Sequence, residues 1–422
     1  MKHVIVGNSY SAVFAIEAIR RVNPQDEITV VSREPYHVYA RAAIHEYMSG
    51  IIGDKQIYYR DHDFYAKHRV TPMLGRTVEG IDSSTQAIFL DDGKKIGYDN
   101  LLLSPGGEPI IPEIDGAKGT GVFTFTTWDD AKNLRDWVKK QKNPSAVVIG
   151  GGLIGLQCAE GLKPLGIDVT VVELAEYVLV RAIDRRAAEI VREWLGVNGI
   201  KVITGDTVVS VTRTKKAVSG VRLKTGTRLK CNTLVVAIGV RPNMGFLKNS
   251  GIKTGRGIIV DNSMRTSAAN IFAAGDAAEA DEFISRKKEV IPIIPIATLH
   301  GRIAGANMAG AGSVYPGGLS QNTFQFFGMP IMSIGNIYAA AEKDGLEDVV
   351  LDENGVYRRA VLKDGRLIWI LSVRDIKRFG LFAGVVRSGI KVNSIKDRLV
   401  GNAFGFTDLP KEFRQEMLTK PG

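Results

Sequence analysis

The residues best placed to do chemistry in this chain are glycines. Val147-Val148-Ile149-Gly150-Gly151-Gly152-Leu153-Ile154-Gly155 is a GxGxxG run behind three apolar residues. Gly150 permits a tight turn, Gly152 lets the backbone approach a pyrophosphate, and Gly155 lets a helix pack on the sheet. A helix starting at Leu153 and Ile154 would point its free N–H groups at the phosphates. Glu173 lies 18 residues beyond Gly155, where a carboxylate accepts a ribose 2′-hydroxyl and repels a 2′-phosphate. No Arg or Lys follows until Arg181. The pattern predicts a dinucleotide site that takes NADH in preference to NADPH.

A degenerate copy stands at the start: Val6-Gly7-Asn8-Ser9-Tyr10-Ser11-Ala12. Gly7 and Ala12 fit the first and third glycine positions. Ser9 replaces the second and adds a hydroxyl that can bond a phosphate. The next apolar run ends Ser32-Arg33-Glu34, so the ribose-binding acid is missing or shifted to Glu34.

Each run needs a strand before it and a helix after it. Residues 3–6 and 28–31 read as β-branched strands, with helical spacing of Val13, Ile16 and Ile19 between them. Residues 146–149 and 167–172 repeat the unit around a helix at 153–165. Two copies predict a doubly wound α/β fold with two dinucleotide-binding domains. Hairpins are expected at 87–96 and 221–229. From about residue 315 the pattern shifts to a hairpin at 356–372 and helical segments near Ile376 and Ile395, a separate α+β domain.

Composition narrows the function classes. The 422 residues carry 45% hydrophobic and 24% charged side chains, an ordinary globular balance. The two cysteines, Cys158 and Cys231, belong to no CxxC, which argues against a disulfide framework, a zinc site or a cysteine-ligated cluster. The six histidines form no HExxH or other ligand spacing. No apolar run reaches the roughly 18 residues of a membrane helix, and the start reads as a strand rather than a signal segment, so a cytoplasmic location is expected. The formal charge of +10 suits an acidic partner or anionic ligands. No nucleic-acid-binding motif accompanies it.

A third motif names a family. Thr266-Ser267-Ala268-Ala269-Asn270-Ile271-Phe272-Ala273-Ala274-Gly275-Asp276 resembles the flavoprotein pattern TxxxxIFAxGD, whose aspartate binds the ribityl chain of FAD. Leu101-Leu102-Leu103-Ser104-Pro105-Gly106 looks like the family's ATG strand end, and Val235-Val236-Ala237-Ile238-Gly239-Val240-Arg241-Pro242-Asn243 looks like its AxGxRPN segment. The motif order resembles that of flavoprotein reductases with two dinucleotide-binding domains. These include NADH oxidases, coenzyme A-disulfide reductases, rubredoxin and ferredoxin reductases, and the flavin part of nitrite reductases. The resemblance implies an FAD domain over 1–112 and 242–312, an NAD domain over 113–241, and a C-terminal interface domain over 313–422. It also implies FAD contacts at Gly275, Asp276, Ala297 and Thr298.

The stretch from Glu34 to Ile44 sets the subclass. Members with a redox cysteine carry it where this chain has Ala42, so a thiol relay is not expected. The stretch looks more like that of ferredoxin and rubredoxin reductases, whose basic residue beside the isoalloxazine matches Arg41. Gln157 stands where the family commonly has Glu near the nicotinamide. The resemblance implies an FAD-dependent NADH:acceptor oxidoreductase exchanging electrons with an acidic iron–sulfur carrier or subunit, as a homodimer or within a larger redox complex. The basic stretch from Arg374 to Arg398 is a candidate docking face. The alternatives are an oxygen-reducing NADH oxidase and a flavin-binding redox-sensing interaction protein.

Overall fold

The computed structural model describes residues 1–338, 345–401 and 404–419. Contacts divide the chain into two compact units. The first holds Met1–Glu176, Gly199–Asp281 and Lys287–Gly318; the second holds Tyr177–Asn198, Glu282–Arg286 and Leu319–Gly422. The two sequence-expected nucleotide domains thus share one unit, and the segment joining the strands Asp168–Glu173 and Ile200–Thr204 groups with the C-terminal residues.

The first unit contains β1 (Lys2–Val6), α1 (Tyr10–Val22), β2 (Glu27–Ser32), β3 (Val70–Leu74), β4 (Asn100–Leu103), β5 (Val122–Thr124), α2 (Trp128–Val138), β6 (Ser145–Ile149), α3 (Leu153–Leu162), β7 (Asp168–Glu173), β8 (Ile200–Thr204), β9 (Thr233–Val236), β10 (Ile271–Ala273) and α4 (Ile294–Met308). Two five-stranded sheets result, ordered β10-β4-β1-β2-β3 and β8-β7-β6-β9-β5. Every pairing in both is parallel. Parallel strands are covered on both faces, so their residues are apolar in unbroken runs. Leu101, Leu102 and Leu103 are fully buried.

In each sheet the order reverses beside the first strand. The chain runs β1→β2→β3 and returns as β4 on the other side of β1; it runs β6→β7→β8 and returns as β9 on the other side of β6. Such a switch point opens a crevice at the carboxyl ends of the strands. Both glycine runs follow the strand at that point.

The second unit is built on an antiparallel sheet of Gln321–Phe326, Met329–Gly335, Arg366–Val373, Val356–Lys363 and Leu346–Glu353, in that order. The hairpin expected at 356–372 is present. The helix expected near Ile376 begins only at Gly380, because Arg374 and Arg378 adopt left-handed backbone angles, φ 74° and 60°, that break helical continuity. Residues 339–344, 402–403 and 420–422 of the expected 313–422 domain lie outside the described residues. Among the described residues no helix is long and apolar enough to cross a membrane, and no cluster of three or more His, Cys, Asp or Glu could hold a metal ion.

His300 on α4 is 1% exposed. Its ring nitrogens make no hydrogen bond among the described residues, and burial pushes the imidazole down to about 4. Unfolded, it titrates near 6.5. Between these values the unfolded chain binds a proton that the folded chain does not, so this stability is present above pH 6.5 and is lost as pH falls. Urea unfolding should show a loss approaching about 1.4 kcal/mol per pH unit from this group. His300→Leu should remove that component of the slope.

Candidate functional site

The first crevice is shaped by backbone. Gly7 follows β1 with φ 108°, and a Cβ there would lie 2.0 Å from the Ser104 carbonyl oxygen. The Ser104 hydroxyl and amide both bond the Val6 carbonyl, at 3.0 and 2.8 Å. This closes the turn onto the end of β4, where Pro105 and Gly106 follow. Ser9 is the N-cap of α1, and its side chain makes no capping bond, so the helix start keeps N–H groups for an anion. A Cβ on Gly275 would come within 2.3 Å of Ser11 Oγ and 3.8 Å of Ala297 Cβ. Gly7, Ser9, Tyr10, Ser11, Ala12, Ser104, Gly275 and Ala297 therefore converge. Thr298 turns its hydroxyl back to the Pro295 carbonyl at 2.9 Å.

Asp276 follows Gly275. Burial pushes its carboxyl up, and Arg41 draws it back down. Arg41 itself is held above its ordinary value: burial opposes the charge, but Tyr39, Glu34 and Asp276 together outweigh it. Tyr10 lies in the same group. Its phenol is pushed to about 12 by burial and by Tyr59, against Arg41 and the Ala42 backbone.

Glu34 does not stand free at the end of β2. One carboxylate oxygen accepts from Arg41 Nη2; the other accepts from the Tyr39 hydroxyl at 2.6 Å. Ser32 ends β2 and Arg33 is exposed beyond it.

The second crevice repeats the design. Gly150 has φ 107°, and a Cβ there would lie 2.3 Å from the Ala237 carbonyl oxygen and 3.1 Å from the Ile238 nitrogen. A Cβ on Gly155 would lie 2.0 Å from the Gly150 carbonyl oxygen, whereas one on Gly152 would meet nothing within 4 Å. Gly152 caps α3 with no side-chain bond. The open space and the free helix start fit an approaching pyrophosphate. Glu173, at the end of β7, accepts from the Gly151 amide at 2.5 Å and the Ala175 amide at 2.8 Å. Leu153 and Ile238 are 37% and 41% exposed, an apolar border to the turn, and Gly239 follows Ile238. Gln157 sits half-buried one turn into α3.

What holds Arg41 has no local signal in the sequence. Its Nη1 donates to the Thr126 carbonyl at 2.6 Å, and the Trp128 amide donates to the Tyr39 hydroxyl at 3.1 Å. Tyr36 donates to Asp129. Thr127 and Asp130 form a capping box that starts α2. That T-x-x-D signal is visible in sequence, but it marks only a helix start, not its tie to a loop some 85 positions earlier.

Neither cysteine can serve these crevices as a thiolate. Both are free and buried. Burial pushes Cys158 far up and Cys231 to about 11. Ala42 occupies an exposed position in the turn Arg41–Ala43. Native protein should therefore show less than about 0.1 equivalent of fast-reacting thiol at pH 7.5, rising to two on denaturation. The Cys158→Ala/Cys231→Ala double variant should keep its NADH-dependent turnover.

Three relatives share this framework. The NADH-dependent phenylglyoxylate dehydrogenase subunit epsilon of Aromatoleum evansii is 34% identical over 406 residues, 95% of each chain. The assimilatory nitrate reductase electron transfer subunit of Bacillus subtilis is 30% identical over 377 residues, 89% of this chain and 48% of that one. An NADH oxidase of Methanocaldococcus jannaschii is 34% identical over 317 residues, 74% of this chain and 70% of that one. A family model described as pyridine nucleotide-disulphide oxidoreductase matches residues 1–301, the span that carries both glycine turns and the Gly-Asp turn. The chain belongs to the pyridine nucleotide-disulphide oxidoreductase family and is an NAD(P)H-dependent oxidoreductase.

Proposed function

We propose that this chain is an FAD-dependent NADH:acceptor oxidoreductase that exchanges electrons with an iron–sulfur carrier or partner subunit. One observation carries the choice of acceptor: the loop that ends in Ala42 has no thiol, and both cysteines are buried and protonated. A covalent relay to a disulfide has no group to run through. The likeness to a dehydrogenase subunit and to an electron transfer subunit supports the same reading.

When bound, FAD supplies hydride acceptance from a nicotinamide and release of electrons singly or in pairs. The chain supplies position. The turn at Gly7 and the uncapped start of α1 hold the FAD pyrophosphate, and Asp276 receives the ribityl hydroxyls. The turn at Gly150 and the start of α3 hold the NADH pyrophosphate, with Glu173 accepting the ribose hydroxyl. Leu153 and Ile238 keep water from the nicotinamide end. Gln157 donates or accepts a hydrogen bond there but takes no proton, and hydride transfer asks for none. The paired Arg241–Glu108 contact at 2.9 Å lies on the antiparallel pair Gly107–Pro109 and Val240–Pro242, just after Gly106 and Gly239.

The docking side is less simple than the charge count suggests. Of the seven basic residues between Arg374 and Arg398, Lys396 pairs with Glu347 at 2.7 Å and Arg398 with Asp408 at 2.6 Å. Arg374 stacks 5.5 Å from the Trp194 ring. Lys377 and Lys391 are exposed and are open to an acidic partner.

A second reading, an oxygen-reducing NADH oxidase, is favoured by the likeness to the Methanocaldococcus protein. Two measurements separate them. Anaerobic NADH should bleach the bound flavin. In air, NADH consumption should be slow and should rise at least tenfold when an acidic iron–sulfur carrier is added. Fast turnover on oxygen alone, unmoved by the carrier, would reverse the choice. For the nicotinamide site, Glu173→Ala should raise the NADH KM about tenfold, the loss of a hydrogen bond to a charged group, and shrink the preference over NADPH. An unchanged preference would refute the role of Glu173.

A further inference from the structure

Glu34, Tyr39, Arg41, Thr126 and Trp128 form a closed circuit. Arg41 gives one N–H group to Glu34 and another to the Thr126 carbonyl at 2.6 Å. Two residues on, the Trp128 amide bonds the Tyr39 hydroxyl at 3.1 Å, and that hydroxyl bonds the second oxygen of Glu34 at 2.6 Å. The Tyr39 ring also lies 5.2 Å from the Arg41 guanidinium carbon. Both oxygens of Glu34 are bonded within the circuit, and the Tyr39 hydroxyl both donates and accepts, so each bond helps to orient the next.

The circuit has an electrostatic consequence. Arg41 stands at the cradle, close enough to Asp276 and Tyr10 to influence both. Yet its charge is not free. The Glu34 side chain is only 20% exposed and Arg41 39%, so the pair is partly desolvated and water screens it incompletely. A lone cation beside a redox group stabilises the form that carries added negative charge. A cation already paired does so far less, because the field of a neutral pair falls off faster with distance.

We propose that Glu34 masks the charge of Arg41 and so sets the electron affinity of the FAD held in the Gly7–Gly275 cradle, with Tyr39 as the residue that orients Glu34. The inference rests on the reading that this cradle takes FAD. It reassigns Glu34 from a ribose-binding acid to a tuning residue, and it makes the Glu34–Arg41 pair, rather than Arg41 alone, the unit that faces the flavin.

The test is a redox titration of the flavin in the full-length, flavin-loaded protein, followed by absorbance at one pH. Glu34→Gln keeps the shape and removes the mask. At a fixed applied potential it should raise the reduced-to-oxidised ratio at least tenfold, about 30 mV for a two-electron couple. Arg41→Gln leaves Glu34 bare and should lower the ratio at least tenfold. The double variant should return within threefold of the wild type. Tyr39→Phe keeps the ring, frees one Glu34 oxygen, and should move the ratio in the direction of Glu34→Gln; it carries the test if Glu34→Gln loses its flavin. If Arg41→Gln moves the ratio and Glu34→Gln does not, masking is wrong. If no variant moves it while NADH still bleaches the flavin, Arg41 does not face the flavin; the inference falls and the proposed function stands. A wild type whose flavin NADH cannot bleach sinks the proposed function, and the inference falls with it.

Discussion

The constraint on which both crevices depend is the absence of a side chain at two points. At Gly7 and Gly150 the backbone turns with φ near 107° and passes within reach of a neighbouring strand's terminal carbonyl, Ser104 in one sheet and Ala237 in the other. Any Cβ would collide with that carbonyl. Only with the turn this tight does the following helix start face the switch point between strands, where its N–H groups meet phosphate. The closure of each turn onto the neighbouring strand end follows from that close approach.

Charge is arranged around the crevices by pairing rather than by excess. The chain carries +10 overall, but Arg41 is bonded to a carboxylate, and part of the basic stretch after Arg374 is likewise paired. Net charge governs long-range approach of an acidic partner. The local pairs govern what the partner or the cofactor meets at contact. The buried, protonated thiols act in the same direction: they take reactive sulfur out of the chemistry.

Much of the fold was legible in the chain. Apolar runs of four to six residues marked β1, β2, β6 and β7 to within a residue or two at each end, and glycine turns follow β1 and β6. Hairpins announced by Asp-Gly and Thr-Gly turns appeared where expected. These signals are local, since a buried parallel strand and a tight turn each restrict the residues that can form them. The helix near Ile376 starts at Gly380, after left-handed backbone at Arg374 and Arg378, residue types that do not favour that conformation. The grouping of Tyr177–Asn198 with the C-terminal residues also had no local signature.

The chain alone marks the glycines that carry the turns, the helix start at Leu153 and the alanine at position 42. These depend on residue type and short spacing, which the chain states directly. Only the tertiary structure decided what those residues face. Glu34, one of the two options for the ribose acid beside its absence, bonds Arg41 and Tyr39. Arg41 resembled the basic residue beside a flavin, and the fold ties it to Glu34 and to the Thr126 carbonyl 85 positions away. A hydrogen bond between distant residues costs loop closure that short-range pattern does not record. It forms because the fold has already brought its two ends together.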